Sequence, residues 1–498
     1  MINTRVRAFA FSGIEAIPVW VEVQIANGLP AFLVVGLPDK AVGEARERVR
    51  AALASMGLAL PPKRILVNLV PADLLKEGSH FDLPIALAVL AAMEIVPIEE
   101  LGRYAALGEL SLDGRINRVP NVISASLGAT IMELGLICPA VQGSEALFGG
   151  NPDILAAPDL LSLVSHFRGE QLLSPPVLPT LPPLVATGPD MADVKGMEVA
   201  RRALEIAATG GHSLLMSGPP GSGKSMLAAR MPGLLPELTP QEALEVTRIC
   251  SAAGIVSEDG GPIRRPPFRD PHHSASQPAL IGGGARAKPG EISLAHRGVL
   301  FLDELPEFSR QALESLRQPL ETGQTSIARA AVHVTYPARF QLIAAMNPCR
   351  CGYLGDASRE CRKAPRCGED YLNRLSGPLL DRMDLWVSVQ PLSPVDMMTA
   401  SAGEPSASIA ARIASARSFR QTRGQTVRNA EANPDQFELE EGARTLLADA
   451  ARKLRLSARG FTRLLRVART IADLEASILI QKHHVAEAVS FRHRSRLS

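Results

Sequence analysis

The first third of the chain shows two kinds of apolar periodicity. Apolar and polar residues alternate at 19–25 and 64–69, which predicts strands. Apolar residues recur at helical spacing at 39–56 and 83–93, which predicts helices. We therefore predict an N-terminal α+β or α/β domain over residues 1–168.

A cluster of prolines follows this domain. Because proline lacks a backbone N–H and has a fixed φ, a proline-rich stretch forms neither a helix nor a central strand. We predict a linker over residues 169–190, with prolines at Pro175, Pro176, Pro179, Pro182, Pro183 and Pro189.

Beyond the linker the apolar runs are typical of a parallel sheet with crossover helices. Buried strands are predicted at 213–217, 298–302 and 340–346, and a helix at 226–231. This strand-loop-helix order indicates an α/β domain over residues 191–392. From about Pro391 the sequence becomes helical and rich in arginine, so residues 393–498 are predicted to form a helical, basic C-terminal domain.

Composition excludes several classes of protein. Of the 498 residues, 46% are hydrophobic and 21% charged, which excludes disorder over most of the length. Lysine and arginine number 53 against 51 for aspartate and glutamate, so any attraction for nucleic acid must come from local clusters. The most apolar stretch, 81–98, contains Asp82, Pro84 and Glu94 and is predicted to be a buried helix. Without an apolar signal segment, we expect a cytoplasmic protein with no membrane partner.

Residues 218–225 read GPPGSGKS and match the phosphate-loop pattern G-x-x-x-x-G-K-[ST] between a predicted strand and a predicted helix. The glycines let successive backbone N–H groups point at phosphate oxygens. We predict that Lys224 reaches the β and γ phosphates of ATP and that Ser225 binds Mg²⁺. The predicted nucleotide-binding residues of the loop are Gly218, Pro219, Pro220, Gly221, Ser222, Gly223, Lys224 and Ser225.

Two later strands are followed by polar residues. Asp303 and Glu304 come after the run 298–302, and Asn347 comes after 340–346. Because the carboxyl ends of parallel strands meet at one edge of a sheet, we expect these side chains beside the phosphate loop. Asp303 is predicted to complete the Mg²⁺ site with Ser225, and Glu304 to be the general base. Asn347 is predicted to orient the attacking water or to contact the γ-phosphate.

These motifs, followed by Arg382 before Met-Asp and by Arg459 in a helical segment, resemble those of an AAA+ ATPase. Longer blocks resemble the magnesium-chelatase-like proteins of the YifB/ComM family, namely PFRDPHHSAS at 267–276, PGEISLAH at 289–296, DELPEF at 303–308 and LSGPLLDR at 375–382. The resemblance covers essentially the whole chain. It implies an AAA+ P-loop parallel sheet with a helical C-terminal lid.

The resemblance also implies residue roles, an assembly and partners. Arg382 matches the arginine finger that reaches the γ-phosphate of a neighbouring subunit, and Arg459 matches sensor 2 of the lid. A finger of this kind acts only between subunits, which implies a homo-oligomeric ring, usually a hexamer. Better-studied relatives are similar to ATP-driven motors that extend strand exchange by branch migration in natural transformation. The implied partners are therefore single-stranded or branched DNA and recombination proteins.

Two basic segments near the ATPase strands are candidate DNA-binding elements. One is an insertion at about 262–297 with glycines at 282–284, and the other is a hairpin at 325–339. Their basic residues are Arg264, Arg265, Arg269, His272, His273, Arg286, Lys288, Arg297, Arg329, His333 and Arg339. Residues 451–498 add eleven basic residues against three acidic ones, with Arg459, Arg463 and Arg466 at helical spacing. For each segment the alternative is a solvated surface.

Four of the six cysteines fall in a short loop at 349–367: Cys349, Cys351, Cys361 and Cys367. Four thiolates suffice for a tetrahedral Zn²⁺ site, whereas the alternative is a reduced loop with incidental thiols. The family pattern has a second close cysteine pair here, but this chain has Lys363 in that place. The two interpretations stay open.

The N-terminal domain resembles the fold shared by Lon-type protease domains and ribosomal protein S5, through blocks at 35–40, 76–84 and 108–115. A Ser-Lys protease needs a nucleophilic serine and a downstream lysine to activate it. Here the matching stretch contains Ser79 and His80, and no lysine occurs between Lys76 and Lys195. We predict no proteolysis, and expect a role in ring stability or DNA contact.

Three functions remain, in order of preference. The first is a ring ATPase that couples ATP hydrolysis to movement on DNA. The alternative is a chelatase-type motor subunit that remodels a partner protein for metal insertion. The third is a protease-like AAA+ machine, against which the missing Ser-Lys pair counts.

Overall fold

The fold consists of an N-terminal domain built on a mixed sheet, a central domain built on a parallel sheet, and a helical C-terminal domain. It is seen in a computed structural model that describes residues 3–178, 188–255, 261–284, 287–328, 333–354, 361, 363–391, 398 and 401–492. The predicted parallel α/β sheet followed by a helical C-terminal region is confirmed.

The described part of the N-terminal domain contains nine strands and six helices. The strands are β1 (Asn3–Ser12), β2 (Glu15–Ala26), β3 (Ala31–Val35), β4 (Arg64–Val70), β5 (Tyr104–Ala106), β6 (Glu109–Leu110), β7 (Ile116–Asn117), β8 (Gly135–Pro139) and β9 (Ile154–Ala157). The helices are α1 (Lys40–Ser55), α2 (Asp82–Ala92), α3 (Ile98–Leu101), α4 (Val122–Ile131), α5 (Gly143–Leu147) and α6 (Leu160–Phe167).

Seven of these strands form one sheet in the order β3-β4-β2-β1-β5-β8-β9. Its centre is the antiparallel β1–β2 hairpin, in which Val19, Val21 and Val23 are buried and the residues between them are half-buried. This alternation turns one face of the hairpin toward the domain core, which also contains residues of α1 and α2. Every residue of α2 is buried, which explains its continuous apolar sequence.

The central domain contains strands β10 to β18 and helices α7 to α16. The strands are β10 (Leu214–Ser217), β11 (Phe268–Arg269), β12 (Gly282–Gly283), β13 (Lys288–Pro289), β14 (Val299–Leu302), β15 (Gln324–Ala328), β16 (His333–Pro337), β17 (Gln341–Met346) and β18 (Leu385–Ser388). The helices are α7 (Glu198–Gly210), α8 (Lys224–Ala228), α9 (Met231–Leu234), α10 (Pro240–Ala253), α11 (Gln277–Ile281), α12 (Glu291–Leu294), α13 (Arg310–Ser315), α14 (Arg317–Thr322), α15 (Arg366–Leu372) and α16 (Gly377–Leu380).

Five strands of this domain form a parallel sheet in the order β11-β14-β17-β10-β18. Strands β14 and β17 are buried at every position, because helices cover both faces of a parallel sheet. Since all five strands run in the same direction, the loops that follow them meet at one edge, where ligands of open α/β sheets bind.

The C-terminal domain contains α17 (Ser406–Thr422), α18 (Glu441–Lys453), α19 (Ala458–Leu474) and α20 (Lys482–Ser490). Its helices share one hydrophobic core with the central sheet, since Leu464 and Ile471 of α19 pack in the same cluster as Leu214 of β10. Within the described part of the chain, the helices lack the combination of length and apolar character that crossing a membrane requires.

The N-terminal domain docks on the central domain through the turn between β1 and β2. Ile14 in this turn packs with Val334 and Tyr336 of the β15–β16 hairpin. Gly13 has φ +66°, and a Cβ atom there would lie 2.6 Å from Val334 Cγ1, so the turn requires a glycine. Arg248 of α10 donates a hydrogen bond to the carbonyl oxygen of Ile14 at 2.7 Å. The N-terminal domain therefore contacts the hairpin that the sequence predicts to bind DNA.

Candidate active site

The phosphate loop connects β10 to α8 at the carboxyl edge of the parallel sheet. Gly223 has φ +88°, a conformation that residues with a side chain rarely adopt, and α8 begins at the next residue. The buried Lys224 donates from Nζ to the carbonyl oxygens of Gly218 at 2.7 Å and Pro219 at 2.9 Å. Burial lowers the pKa of Lys224, while Asp303 and Glu304 oppose that shift. The loop thus holds the ammonium group of Lys224 against its own carbonyl oxygens, near Asp303 and Glu304.

Side chains of two neighbouring strands reach the same place. Ser225 Oγ donates to Asp303 Oδ2 at 2.5 Å, which joins the phosphate loop to the end of β14. Lys224 Nζ lies 3.3 Å from Oδ1 of Asn347, which follows β17. A hydroxyl and a carboxylate side by side are hard oxygen donors of the kind that Mg²⁺ prefers, so the residues fit the predicted ion.

Glu304 stands at the open side of this cluster, with 49% of its side chain exposed. Its backbone has φ +51°, in the left-handed region, and its N–H donates to Asp303 Oδ1 at 2.8 Å. Glu304 Oε2 lies 3.2 Å from Nδ1 of His273, a contact that the sequence interpretation did not anticipate. The structure therefore brings together Lys224, Ser225, Asp303, Glu304 and Asn347.

A further carboxylate, Asp270, lies at the same sheet edge. It directly follows β11, which pairs in parallel with β14. Burial, followed by the nearby charge of Asp303, raises the pKa of Asp270. We did not single out Asp270 from the sequence, although it lies within the block PFRDPHHSAS, because the strand before it is only two residues long and has no periodic pattern.

Arg382 is buried and held within its own chain. Its guanidinium donates to the carbonyl oxygen of Pro378 at 2.7 Å and pairs with Glu321 of α14. Burial lowers its pKa, and the nearby charges of Arg317, Arg463 and Arg459 lower it further. Arg459 is exposed. The two predicted arginines thus lie near each other in a cationic cluster.

Arg463, on the same helix face as Arg459, anchors the C-terminal domain to the central domain. It pairs with the buried Asp384 at 2.6 Å and donates to the carbonyl oxygen of Arg382 at 2.7 Å. Although burial alone raises the pKa of Asp384, the hydrogen bond from His212 and the charge of Arg463 hold it below its usual range. Arg466 donates to the carbonyl oxygen of Ala432 at 2.8 Å. The helical spacing of these arginines therefore reflects packing between domains as well as surface charge.

The segment at 262–297, which the sequence predicts to be a basic loop, contains short strands and helices. It contains the edge strand β11, and two of its arginines are engaged in ion pairs: Arg269 with Glu291 at 2.5 Å, and Arg297 with Glu245 at 2.9 Å. The first pair joins two parts of the segment, the second joins the segment to α10, and both guanidinium groups are already paired. Arg286 and Arg329 lie outside the described residues.

The β12–β13 hairpin of this segment packs on the β15–β16 hairpin, since a Cβ atom on Gly282 would lie 2.7 Å from Ile327 Cδ1. Tyr336 Oη of the β15–β16 hairpin donates to the carbonyl oxygen of Ala287 at 2.9 Å, next to the β12–β13 hairpin. Exposed Lys288 lies on one hairpin, and exposed His333 lies on the other. The two segments that the sequence predicts to bind DNA are therefore in contact with each other.

Family models and a similar protein together match almost the whole chain. Family models described as magnesium chelatase, subunit ChlI, as subunit ChlI of Mg-chelatase, and as magnesium chelatase, subunit ChlI C-terminal match residues 190–397, 21–142 and 403–492. The protein YifB of Salmonella typhimurium, itself uncharacterized, is 44% identical over 505 residues, covering 100% of this chain and 97% of the relative. The chain belongs to the magnesium-chelatase-like YifB/ComM family.

Two other relatives differ in how much of this YifB/ComM family member they match. The competence protein ComM of Haemophilus influenzae is 44% identical over 504 residues, covering 98% of this chain and 97% of the relative. The magnesium-chelatase 67 kDa subunit of Heliobacterium mobile is 28% identical over 194 residues, covering 33% of this chain and 29% of the relative. The magnesium-chelatase-like AAA+ proteins are generally ATPases.

The cysteine loop of this YifB/ComM family member lies against the phosphate loop, since a Cβ atom on Gly352 would lie 2.5 Å from Pro220 Cδ. The sulfur atoms of Cys349, Cys361 and Cys367 all lie within 4.8 Å of one another. The sulfur of Cys351 is 3.2 Å from that of Cys349. A hydrogen bond from Cys367 lowers the pKa of Cys361 to about 7. These thiols, three of them mutually close and Cys351 next to Cys349, fit a zinc ion.

The residues that match the protease stretch have other partners. The buried Lys76 donates from Nζ to the carbonyl oxygen of Pro71, and Ser79 Oγ bonds to Glu109. His80 Nε2 lies 2.9 Å from the carbonyl oxygen of Phe9. Among the described contacts, Lys76 and Ser79 thus bond to these other groups and not to each other.

Proposed function

We propose that this chain is a ring-forming ATPase that couples ATP hydrolysis to movement on DNA, by branch migration of recombination intermediates during natural transformation. The observation that carries the proposal is the convergence of Lys224, Ser225, Asp303, Glu304 and Asn347 at one edge of a parallel sheet. The full-length similarity to a competence protein supports the cellular role.

The chemistry of the proposed site follows from the resting contacts. Lys224 exchanges the carbonyl oxygens of its own loop for the β and γ phosphate oxygens of ATP, whose negative charge a buried ammonium stabilises strongly. The loop residues 218–223 supply backbone N–H groups. Ser225 and Asp303 hold Mg²⁺, which offsets charge on the phosphates. Glu304 accepts the proton of the attacking water, and Asn347 orients that water.

The proposed assembly is a homo-oligomeric ring, with six subunits by resemblance to its family. Arg382 lies too deep in its own chain to act without a change of partner, since it is 5% exposed and paired with Glu321. We propose that a neighbouring subunit's γ-phosphate draws Arg382 away from Glu321. Exposed Arg459 lies in the same cationic cluster and contributes to that contact.

DNA is proposed to bind to the two packed hairpins. Lys288 and His333 are exposed there, and Arg339 is exposed at the end of the β15–β16 hairpin. These hairpins precede β14 and β17, the strands that end at Asp303 and Asn347, and we propose that a change at the nucleotide is transmitted to both hairpins through those strands. The docking of the N-terminal domain on β16 extends the same path to that domain.

The alternative is a chelatase-type motor that remodels a partner protein for metal insertion. The 28% identity to a chelatase subunit over a third of the chain favours it. The identity to ComM over 98% of the chain favours the DNA motor. A partner protein that inserts a metal into a porphyrin and needs this ATPase to do so would favour the alternative.

A synthetic three-strand junction tests the proposed movement on DNA. We expect the protein to displace the labelled strand only with ATP and Mg²⁺, and we expect Lys224→Ala to displace none because it loses the phosphate-binding cation. Gel separation of the labelled strand gives the rate. Steady ATP turnover without any displaced strand would contradict movement on DNA and leave protein remodelling.

We also propose that Cys349, Cys351, Cys361 and Cys367 hold one Zn²⁺ that stabilises the loop against Pro220. We expect elemental analysis of the purified protein to find about one zinc per chain, because four thiolates complete a tetrahedral shell. Cys361→Ser is expected to lose the metal and to lower the melting temperature. Cys250→Ala, which removes a thiol on α10 outside the loop, keeps the metal. Equal zinc content in both variants would contradict the site.

A further inference from the structure

Three arginines of the C-terminal domain cluster near the carboxyl end of α7. Arg417 and Arg420 are on α17, and Arg428 is on the segment that follows it. Arg417 Nη2 donates to the carbonyl oxygen of Ala208 at 2.5 Å, and a Cβ atom on Gly211 would lie 2.9 Å from Arg428 Cδ. Gly211 stands shortly before β10, whereas the phosphate loop follows β10. The cluster therefore lies at the edge of the parallel sheet opposite the ATP site.

The three guanidinium groups are close to one another. Burial, followed by the charges of Arg428 and Arg420, lowers the pKa of Arg417 to about 9. Burial also lowers the pKa of Arg420, while the charge of Asp473 opposes that shift and the charge of Arg428 adds to it. Because arginine remains protonated at neutral pH under such shifts, the cluster concentrates positive charge where the two domains meet.

These arginines lack the partners that buried charges require. Arg420 is only 7% exposed, yet its guanidinium makes no hydrogen bond or ion pair among the described residues. The same holds for the side chain of half-buried Arg428. Nε of Arg417 is buried without a partner. Because an unpaired buried charge is strongly destabilising, we expect the missing partner to come from outside the chain.

Acidic side chains of the same region do not neutralise the cluster. Asp473 pairs with two other arginines of the C-terminal domain, each at 3.0 Å. Glu242 pairs with Arg297 at 3.3 Å. Glu431 is exposed and forms no ion pair in the described part of the chain. The surroundings therefore leave an excess of positive charge, which suits an anion.

We propose that Arg417, Arg420 and Arg428 bind one phosphate group from outside the chain, at a second site separate from the ATP site. Guanidinium groups donate pairs of hydrogen bonds that match the spacing of phosphate oxygens. A phosphate has more acceptor oxygens than a carboxylate, so it bonds to several guanidinium groups at once. The proposed site thus satisfies the donors that the chain itself leaves unpaired.

The phosphate belongs either to the DNA backbone or to a free anion, since both present the same oxygens to the arginines. Arg339, exposed at the end of the β15–β16 hairpin, lies near Arg428 and joins the cluster to the proposed DNA surface. The DNA source rests on the proposed function, whereas the site itself does not. The two sources are separated by experiment.

Thermal unfolding in phosphate tests the site. Because the phosphate loop is also proposed to bind phosphate, the measurement uses Lys224→Ala, in which that loop has lost its cation. We expect millimolar inorganic phosphate to raise the melting temperature of this variant by about 2 °C or more over chloride of equal ionic strength. Adding Arg420→Met, which keeps a long side chain but removes its charge, is expected to abolish the rise.

Arg420→Met also separates a ligand site from a structural arginine. Since this variant removes a buried charge that has no partner, it is expected to raise the melting temperature in chloride by about 2 °C or more. The matched control is Arg469→Met, because Arg469 is also buried but pairs with Asp473 and donates to the carbonyl oxygen of Ile478 at 2.6 Å. We expect the control to lower the melting temperature in chloride and to keep the rise in phosphate.

Arg428→Ala gives the same phosphate test at a half-buried position where loss of the side chain leaves the fold intact. Its control is Arg452→Ala, which removes an exposed arginine of α18 that pairs with Asp449 at 2.7 Å. If DNA supplies the phosphate, the Kd for a short single-stranded oligonucleotide rises about tenfold in Arg428→Ala and stays unchanged in Arg452→Ala. An equal Kd in both, with the phosphate rise lost only in Arg428→Ala, would support the site with free phosphate as its ligand.

The outcomes also separate this inference from the proposed function. No phosphate rise in Lys224→Ala, or a rise that persists after both Arg420→Met and Arg428→Ala, would overturn the second site. Loss of ring assembly in the arginine variants without any phosphate rise would assign their partner to a neighbouring subunit and overturn it too. A rise that both variants abolish, together with a wild-type enzyme that no DNA stimulates, would support the second site and contradict the DNA motor.

Discussion

Glu304→Gln is expected to lower the kcat for ATP hydrolysis by about 10²–10⁴-fold, because the amide cannot take a proton from the attacking water. ATP binding and ring assembly are expected to persist, since the substitution leaves the proposed phosphate and Mg²⁺ ligands Lys224, Ser225 and Asp303 unchanged. The side chains of glutamate and glutamine are nearly equal in size, so the loss is one of chemistry rather than of packing.

Single-turnover hydrolysis and nucleotide binding measured on the same preparation check this result. Glu314→Gln is the matched control, because it neutralises a carboxylate that pairs with Arg317 at 2.7 Å on the helices after Glu304. We expect that variant to keep a kcat close to wild type. A kcat for Glu304→Gln within about threefold of wild type would contradict its assignment as general base.

Arg382→Ala is expected to lower kcat by about 10³–10⁵-fold, the range that arginine fingers contribute to phosphoryl transfer. Each variant subunit still binds ATP through its own phosphate loop. The missing charge is the one supplied to its neighbour, so the defect lies at the interface between subunits and not within one chain.

Mixing two inactive variants tests that assignment. In a ring made from equal amounts of Arg382→Ala and Lys224→Ala, about a quarter of the interfaces combine an intact phosphate loop with an intact finger. We expect ATP turnover to recover to about that fraction of wild type. No recovery, in mixtures shown to contain both variants in one ring, would contradict a finger that acts between subunits.

Local patterns were sufficient to predict much of this fold. The apolar run before Asp303 appears as the buried strand β14, and the run before Asn347 appears as β17. Because parallel strands place their carboxyl ends together, the sequence predicted Asp303 and Asn347 beside the phosphate loop, and Oδ1 of Asn347 lies 3.3 Å from Nζ of Lys224. The family resemblance is confirmed by identity over the whole chain.

Features that depend on distant parts of the chain were not visible in the sequence. Strand β11 is two residues long, too short for a periodic pattern, and without it neither Asp270 nor His273 can be placed beside β14. The pairing of Arg382 with Glu321 joins residues 61 positions apart, and that of Arg463 with Asp384 joins residues 79 positions apart. Charge counts identify such arginines but do not identify their partners.

ATP turnover by the purified protein with and without DNA addresses the coupling of hydrolysis to DNA. The rate is measured with single-stranded, duplex and branched DNA at two salt concentrations. We expect strong stimulation by single-stranded or branched DNA that falls as salt rises, because phosphate contacts release counterions. A rate that none of these DNAs changes at either salt concentration would contradict a DNA motor.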